Sequence, residues 1–190
     1  MGMLGAFRYL GLVLFAGMMS VATPATAEWR RVQGGLRLDG PLDKVHHGAF
    51  QHFLWTALLS EDRGQPIGIW LNSAGGSLEE ALQVVEVIQE LQGAGTRVAT
   101  LVAQNGECDL PCVLVFALGQ ERYVEDGARF ILDLDRLLAE EPDVLQGPLV
   151  AILAGADAQF AATVLSAQER QALTGTELAA NYPEFTRRLR

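Results

Sequence analysis

One six-residue stretch constrains this chain more than any other. Asn72-Ser73-Ala74-Gly75-Gly76-Ser77 joins a short apolar run, Ile67 to Leu71, to a long amphipathic segment. The apolar run suits a parallel strand buried on both faces. Beyond the glycines, Leu78, Leu82, Val85, Ile88 and Leu91 form one helical stripe, and Glu79, Glu80, Gln83, Glu86 and Glu90 hold the opposite side. Ser77 with Glu80 reads as a capping box that starts the helix, and Gly93 and Gly95 end it. A buried strand, a glycine turn and a helix in that order are the building unit of an α/β fold with a parallel sheet.

The flanking sequence repeats the theme. Val32 to Leu38 alternates as a strand and stops at the turn Asp39-Gly40-Pro41. Asp43 is positioned to cap a helix whose apolar positions are Val45, Ala49, Phe53 and Ala57. Arg97 to Val102 reads as a strand, Val113 to Leu118 as a buried helix, and 122–124 and 129–132 as strands around Glu125-Asp126-Gly127. Pro142-Asp143 opens a further helix. Ser166 with Glu169 reads as a second capping box, and Tyr182 to Arg190 as a basic, frayed end. No linker or internal repeat divides the chain, and its 190 residues suffice for one domain with a substantial core.

The first 27 residues read as a signal peptide. Arg8 precedes an apolar run from Tyr9 to Ala22, Pro24 breaks it, and Ala25-Thr26-Ala27 supplies a small-x-small site for cleavage before Glu28. That run falls short of the roughly 20 residues a spanning helix needs. The expectation is therefore a periplasmic or secreted protein with no membrane attachment after cleavage. All 23 acidic residues lie beyond residue 27, against 14 basic residues in the whole chain. That balance argues against binding to nucleic acid or anionic lipid, both of which need clustered cations.

In an oxidising compartment the two cysteines, Cys108 and Cys112, become candidates for a disulfide. A spacing of four puts both on one face of a helical turn, with Cα atoms about 6 Å apart, inside the range a disulfide accepts. Two free buried thiols are the alternative. A zinc site needs about four ligands, and the histidines lie far upstream. His46, His47 and His52 are also wrongly spaced for a helical metal pair. No cofactor is expected.

With these residues in view, the sequence resembles the Clp-protease proteolytic subunit, whose motif is Asn-Ser-Pro-Gly-Gly-Ser, and more closely its exported bacterial relatives in the Clp/crotonase superfamily. Leu36-Arg37-Leu38-Asp39-Gly40-Pro41 is similar to their first strand and turn. Cys108-x-x-x-Cys112 with Phe116 is similar to their Cys-Ala-Ser-Ala-Cys segment. Arg122-Tyr123-Val124 and Gly127-Ala128-Arg129 are similar to the strand pair that follows, and Leu165-Ser166 with Glu169 to their C-terminal end. The resemblance spans about residues 33 to 175. It implies an α/β, Clp/crotonase-like fold of repeated β-β-α-type units over 28–175, with a mainly parallel sheet flanked by helices and a C-terminal tail over 176–190.

The resemblance also implies a set of catalytic positions. The Gly75-Gly76 turn, with Ser77 starting the helix, offers an oxyanion-like cleft. The nucleophile position is Leu110, which has no atom able to attack a carbonyl. The next residue, which in the family donates a second N–H to the oxyanion, is Pro111, which has none. The base position is Asp133, and no histidine occurs after His52. The expected protein is a pseudoenzyme of a serine peptidase family. It binds an unidentified peptide or ligand or serves as a scaffold, and it is a candidate homo-oligomer by analogy. The competing expectation is a hydrolase with a nucleophile relocated to Ser73 or Ser77. Lys44, the sole lysine, is the only residue that could complete a Ser/Lys dyad. Asp133 with Asp135 could form a carboxylate pair, though a solvated face is the simpler reading. Trp29, Trp55 and Trp70 are too scattered for a stacking platform, and Trp70 is expected to pack under the sheet. Crotonase-type acyl-CoA chemistry ranks last, since an exported protein does not meet coenzyme A.

Overall fold

The computed structural model describes residues 28–42, 50, 51, 54, 65–140, 147–167 and 169–189. The leader, Lys44, the three histidines, Trp55 and the helix starts expected at Asp43 and Pro142 lie outside the described residues.

Two sheets share the core. The larger has six strands: β1 (Glu28–Val32), β2 (Gly35–Asp39), β3 (Ile67–Asn72), β4 (Val98–Val102), β6 (Glu121–Val124) and β9 (Arg187–Arg188), in the order β1-β2-β3-β4-β6-β9. Every neighbouring pair is parallel except β1 with β2. The smaller sheet holds β5 (Glu107–Asp109), β7 (Arg129–Leu132) and β8 (Gln171–Thr174) in the order β5-β7-β8. Its β5–β7 pair is parallel and its β7–β8 pair antiparallel. The helices are α1 (Leu78–Gly93), α2 (Leu110–Ala117), α3 (Leu134–Glu140), α4 (Pro148–Ala156), α5 (Ala158–Ser166) and α6 (Gly175–Asn181). The protein is thus a mixed α/β domain whose mostly parallel central sheet is flanked by helices.

The chain alternates between the sheets in a regular way. Strand β4 of the large sheet leads into β5 of the small one and then into α2, and β6 leads likewise into β7 and α3. After β3 the same step is reduced to one bridge, Ser73 with Cys108, before α1 begins. Helix α2 occupies the centre. All eight of its residues are buried, and it touches β3 and β4 on one side, β5 and β7 on the other, and α1 and α4.

Several expectations need correction. The strand read over 32–38 is a hairpin. Gln33 and Gly34 form its turn, with Gly34 at φ +81°, a left-handed conformation that costs glycine nothing. Helix α2 starts three residues before Val113 because Asp109 caps it. Ser166 ends α5 rather than opening a helix. The capping box lies at α6, where Thr174 Oγ1 accepts the Glu177 N–H at 3.2 Å and Glu177 Oε2 accepts the Thr174 N–H at 2.8 Å. The C-terminal end is not frayed. Phe185 is buried against Phe116 and Phe160, and β9 pairs with β6. Trp70 is only half-buried, and its ring lies over the backbone of Gly68, where any Cβ would come within 2.4 Å of it.

Candidate functional site

The glycine turn is anchored at each step. Asn72 ends β3 and ties two neighbours: its Nδ2 donates to Asp39 Oδ1 at 3.0 Å, and its Oδ1 accepts the Glu107 N–H at 3.1 Å. Burial pushes the Asp39 carboxyl up, but hydrogen bonds from Arg37, Asn72 and Arg30 outweigh it and hold the group at about 2. Ser73 then joins β5 through its main chain, donating its N–H to Glu107 at 2.7 Å and accepting from Asp109 at 3.0 Å. Its side chain is fully buried, with Oγ donating to the Gly75 carbonyl at 2.9 Å. That carbonyl also accepts the Leu42 N–H at 2.8 Å, and the Leu42 carbonyl accepts the Ser77 N–H at 2.9 Å. Ser77 Oγ caps α1 through the Glu80 N–H at 3.2 Å. Both serines therefore serve the turn and the helix start.

The main chain of Ser73 lies beside residues 107–109, which lead directly into α2. Leu110 is the first residue of α2 and is 1% exposed, inside the main apolar cluster; Pro111 stands in the first turn. In that turn a missing N–H costs the helix nothing. Cys108 and Cys112 are disulfide-bonded with Cα atoms 5.1 Å apart. The bond staples β5 to the first turn of α2. It does not join two positions of one helix, so the expected pair is present in a different geometry.

Asp133 sits between β7 and α3. Its Oδ1 accepts the Arg136 N–H at 3.0 Å, which makes it an N-cap rather than part of a carboxylate pair with the exposed Asp135. The residue that sequence reasoning passed over is Asp109. Its carboxylate is 2% exposed, accepts the Cys112 N–H at 3.4 Å as the cap of α2, and pairs with Arg136 Nη2 at 3.0 Å. An Asp two residues before Pro111 was the available signal, since an acidic cap ahead of a first-turn proline marks a helix start. Burial pushes the Asp109 carboxyl up to about 6, against the opposing pull of the Cys112 N–H and Arg136.

This shift makes a testable statement about stability. Because Asp109 titrates higher folded than unfolded, the native protein holds a proton that the unfolded chain releases between about 4 and 6. The group therefore favours the fold at acid pH, and that advantage is lost as the pH rises through about 6. The gap corresponds to about 3 kcal/mol. Urea unfolding of wild type and Asp109→Asn is expected to show the wild type losing about 2 kcal/mol of that relative to the variant between pH 4 and pH 7. A constant difference across that range would mean the carboxyl is not desolvated.

Among the described residues no group of three or more His, Cys, Asp or Glu is placed to hold a metal ion, and no helix is long and apolar enough to cross a membrane. No family model matches the chain, and no curated protein does. Solved structures do match, in 542 chains. One, described only as the crystal structure of an enzyme, superposes with a TM-score of 0.64 over 83% of this chain and 96% of its own, at 13% identity. Identity that low carries the fold alone. What fold and comparison define together is an α/β domain with a mostly parallel central sheet between helices, an architecture that hosts many unrelated functions.

Proposed function

We propose that this chain is an exported, non-catalytic relative of the Clp/crotonase superfamily, in which the site that would hold a serine nucleophile has become part of the core. One observation carries the reading: Leu110, at the start of the central helix and directly after the strand that bridges to Ser73, is sealed in apolar packing. Pro111 and Asp133, at the positions of the second oxyanion donor and the base, support it, since one fits the first turn of α2 and the other caps α3. The alternation of strands between two sheets ahead of each helix fits the superfamily reading. The disulfide fits an oxidising compartment. With the pocket filled at Leu110, a scaffold role through association with a peptide, a protein or a second copy is favoured over binding in the ancestral cleft. A relocated nucleophile finds no support, because the Ser73 hydroxyl is buried and hydrogen-bonded and Ser77 caps α1.

Purified protein incubated with a fluorophosphonate probe is expected to remain unlabelled by mass spectrometry under conditions that label an active serine peptidase. A covalent adduct mapped to Ser73 or Ser77 would overturn the reading in favour of a hydrolase.

A further inference from the structure

At the far end of α2, about 10 Å from Leu110 by helical rise, lies a cavity of about 300 Å³. Its lining includes Gln89 and Gln92 of α1, Leu118, Gln120, Arg122 of β6 and Ile152 of α4. Arg122 is the unusual member. Its Nε donates to the Phe185 carbonyl, its Nη1 donates to the carbonyls of Ala117 and Gly119, and its guanidinium stacks over the Phe185 ring at 5.0 Å. Three main-chain carbonyls and a ring thus fix the plane of the guanidinium. Its Nη2 makes no hydrogen bond to a described residue. Arg30, Arg37, Arg97, Arg129, Arg136 and Arg188 pair with carboxylates. Arg122, like Arg31, Arg170 and Arg187, has no such pair among the described residues, but those three are exposed and Arg122 is half-buried. It feels Asp157 only through space, and Asp157 Oδ1 is engaged by the Phe160 N–H at 2.7 Å.

A half-buried guanidinium held rigid by neutral carbonyls has no carboxylate in direct contact among the described residues, so its charge, offset only at a distance by Asp157, can meet a partner from outside. The neighbouring amides are oriented as well. Gln120 Oε1 accepts the Val98 N–H at 3.1 Å, which leaves its Nε2 to donate. Gln92 Nε2 donates to the Leu118 carbonyl at 2.6 Å, which leaves its Oε1 to accept. Leu118 and Ile152 supply apolar wall. We infer that this cavity is a binding site for a small carboxylate, with the anion on Arg122 and Gln120 and a short aliphatic body against Leu118 and Ile152. The volume is at the lower end for ligand pockets and suits a small acid. The site is separate from the filled position at Leu110 and stands whether or not the superfamily reading does.

The test is a ¹H–¹⁵N NMR titration of purified protein with sodium propionate, with propionamide as the uncharged control. Saturable shifts are expected at Gln89, Gly119, Gln120 and the Arg122 Nε–H with propionate, and none of that size with propionamide. Gln120→Glu keeps the oxygen that accepts from Val98 but puts a negative charge where the free amide stood. It is expected to weaken propionate binding at least about tenfold, the loss of a charge-assisted hydrogen bond, with unfolding unchanged. Comparing propionate with acetyl-trialanine bearing a free C-terminus tells a free acid from a peptide end as the source of the carboxylate. Equal shifts with propionamide, non-saturating shifts spread over surface arginines, or unchanged affinity in Gln120→Glu would each overturn the inference.

Discussion

Gly76→Ala is expected to lose about 3–5 kcal/mol of stability, a fall of about 10 °C in the midpoint of thermal unfolding, while Gly75→Ala one residue away stays within about 1 kcal/mol of wild type. The two glycines look alike in sequence and are opposites in structure. Gly76 lies at φ +133°, where a side chain is strained, and a Cβ there would stand 2.5 Å from both the nitrogen and the oxygen of Leu42. Those atoms are main chain and cannot rotate away. To make room, residues 41–42 must shift, which breaks the bond from the Leu42 N–H to Gly75 and the bond from Ser77 to Leu42. Two hydrogen bonds at about 1 kcal/mol each and backbone strain of 1–3 kcal/mol give the expected range. At Gly75 the added methyl would meet only Pro41 Cβ, at 3.6 Å, an ordinary contact. Thermal melts of the two variants beside wild type decide the matter. Equal effects would mean that the turn does not pack on Leu42 as described.

That difference shows which parts of this protein can be read from its sequence. The unit β3–turn–α1 was legible because each signal is local: an unbroken apolar run, a glycine pair, and Ser77 ahead of a periodic helix. The second sheet was not. Strand β5 has only three residues, and β8 is largely exposed, so neither shows the alternation that marks a half-buried strand. The strands β6 and β7 were both found, but their assignment to different sheets depends on pairing with residues far away in sequence. The C-terminal end was misread for the same reason. Its arginines suggest a solvated tail, and only Phe116 and Phe160, remote in sequence, show that Phe185 anchors it. At the candidate site the residue types were visible, but their burial was not. Leucine at 110 excludes attack on a carbonyl; only the fold shows that it also fills the space. The disulfide was expected from helical spacing, yet it spans a strand end and a helix start, two geometries that bring Cα atoms to similar distances.

Leu110→Ser, which puts a hydroxyl at the start of α2, is expected to cost about 3–5 kcal/mol and to bring no reactivity. The cost follows from where the side chain lies. Leu110 belongs to the core between the two sheets, so its removal leaves a cavity, and buried leucine truncations cost 2–5 kcal/mol. A serine there also brings a hydroxyl into apolar surroundings. No reactivity is expected because the neighbouring groups are engaged in structure. Pro111 has no N–H to offer an oxyanion, and Asp133 spends its carboxylate on the Arg136 N–H. Asp109, the nearest carboxylate in sequence, is held by the Cys112 N–H and the Arg136 guanidinium. Placing an imidazole there by Asp133→His would in turn remove a helix cap, at about 1 kcal/mol. The positions that would have to supply chemistry are ones that stabilise the fold. Urea unfolding of Leu110→Ser beside Leu110→Ala, with fluorophosphonate labelling of each, tests both halves. Wild-type stability in the serine variant would mean that the space at 110 is open to solvent, and labelling at 110 would mean that other groups supply a base and an oxyanion donor.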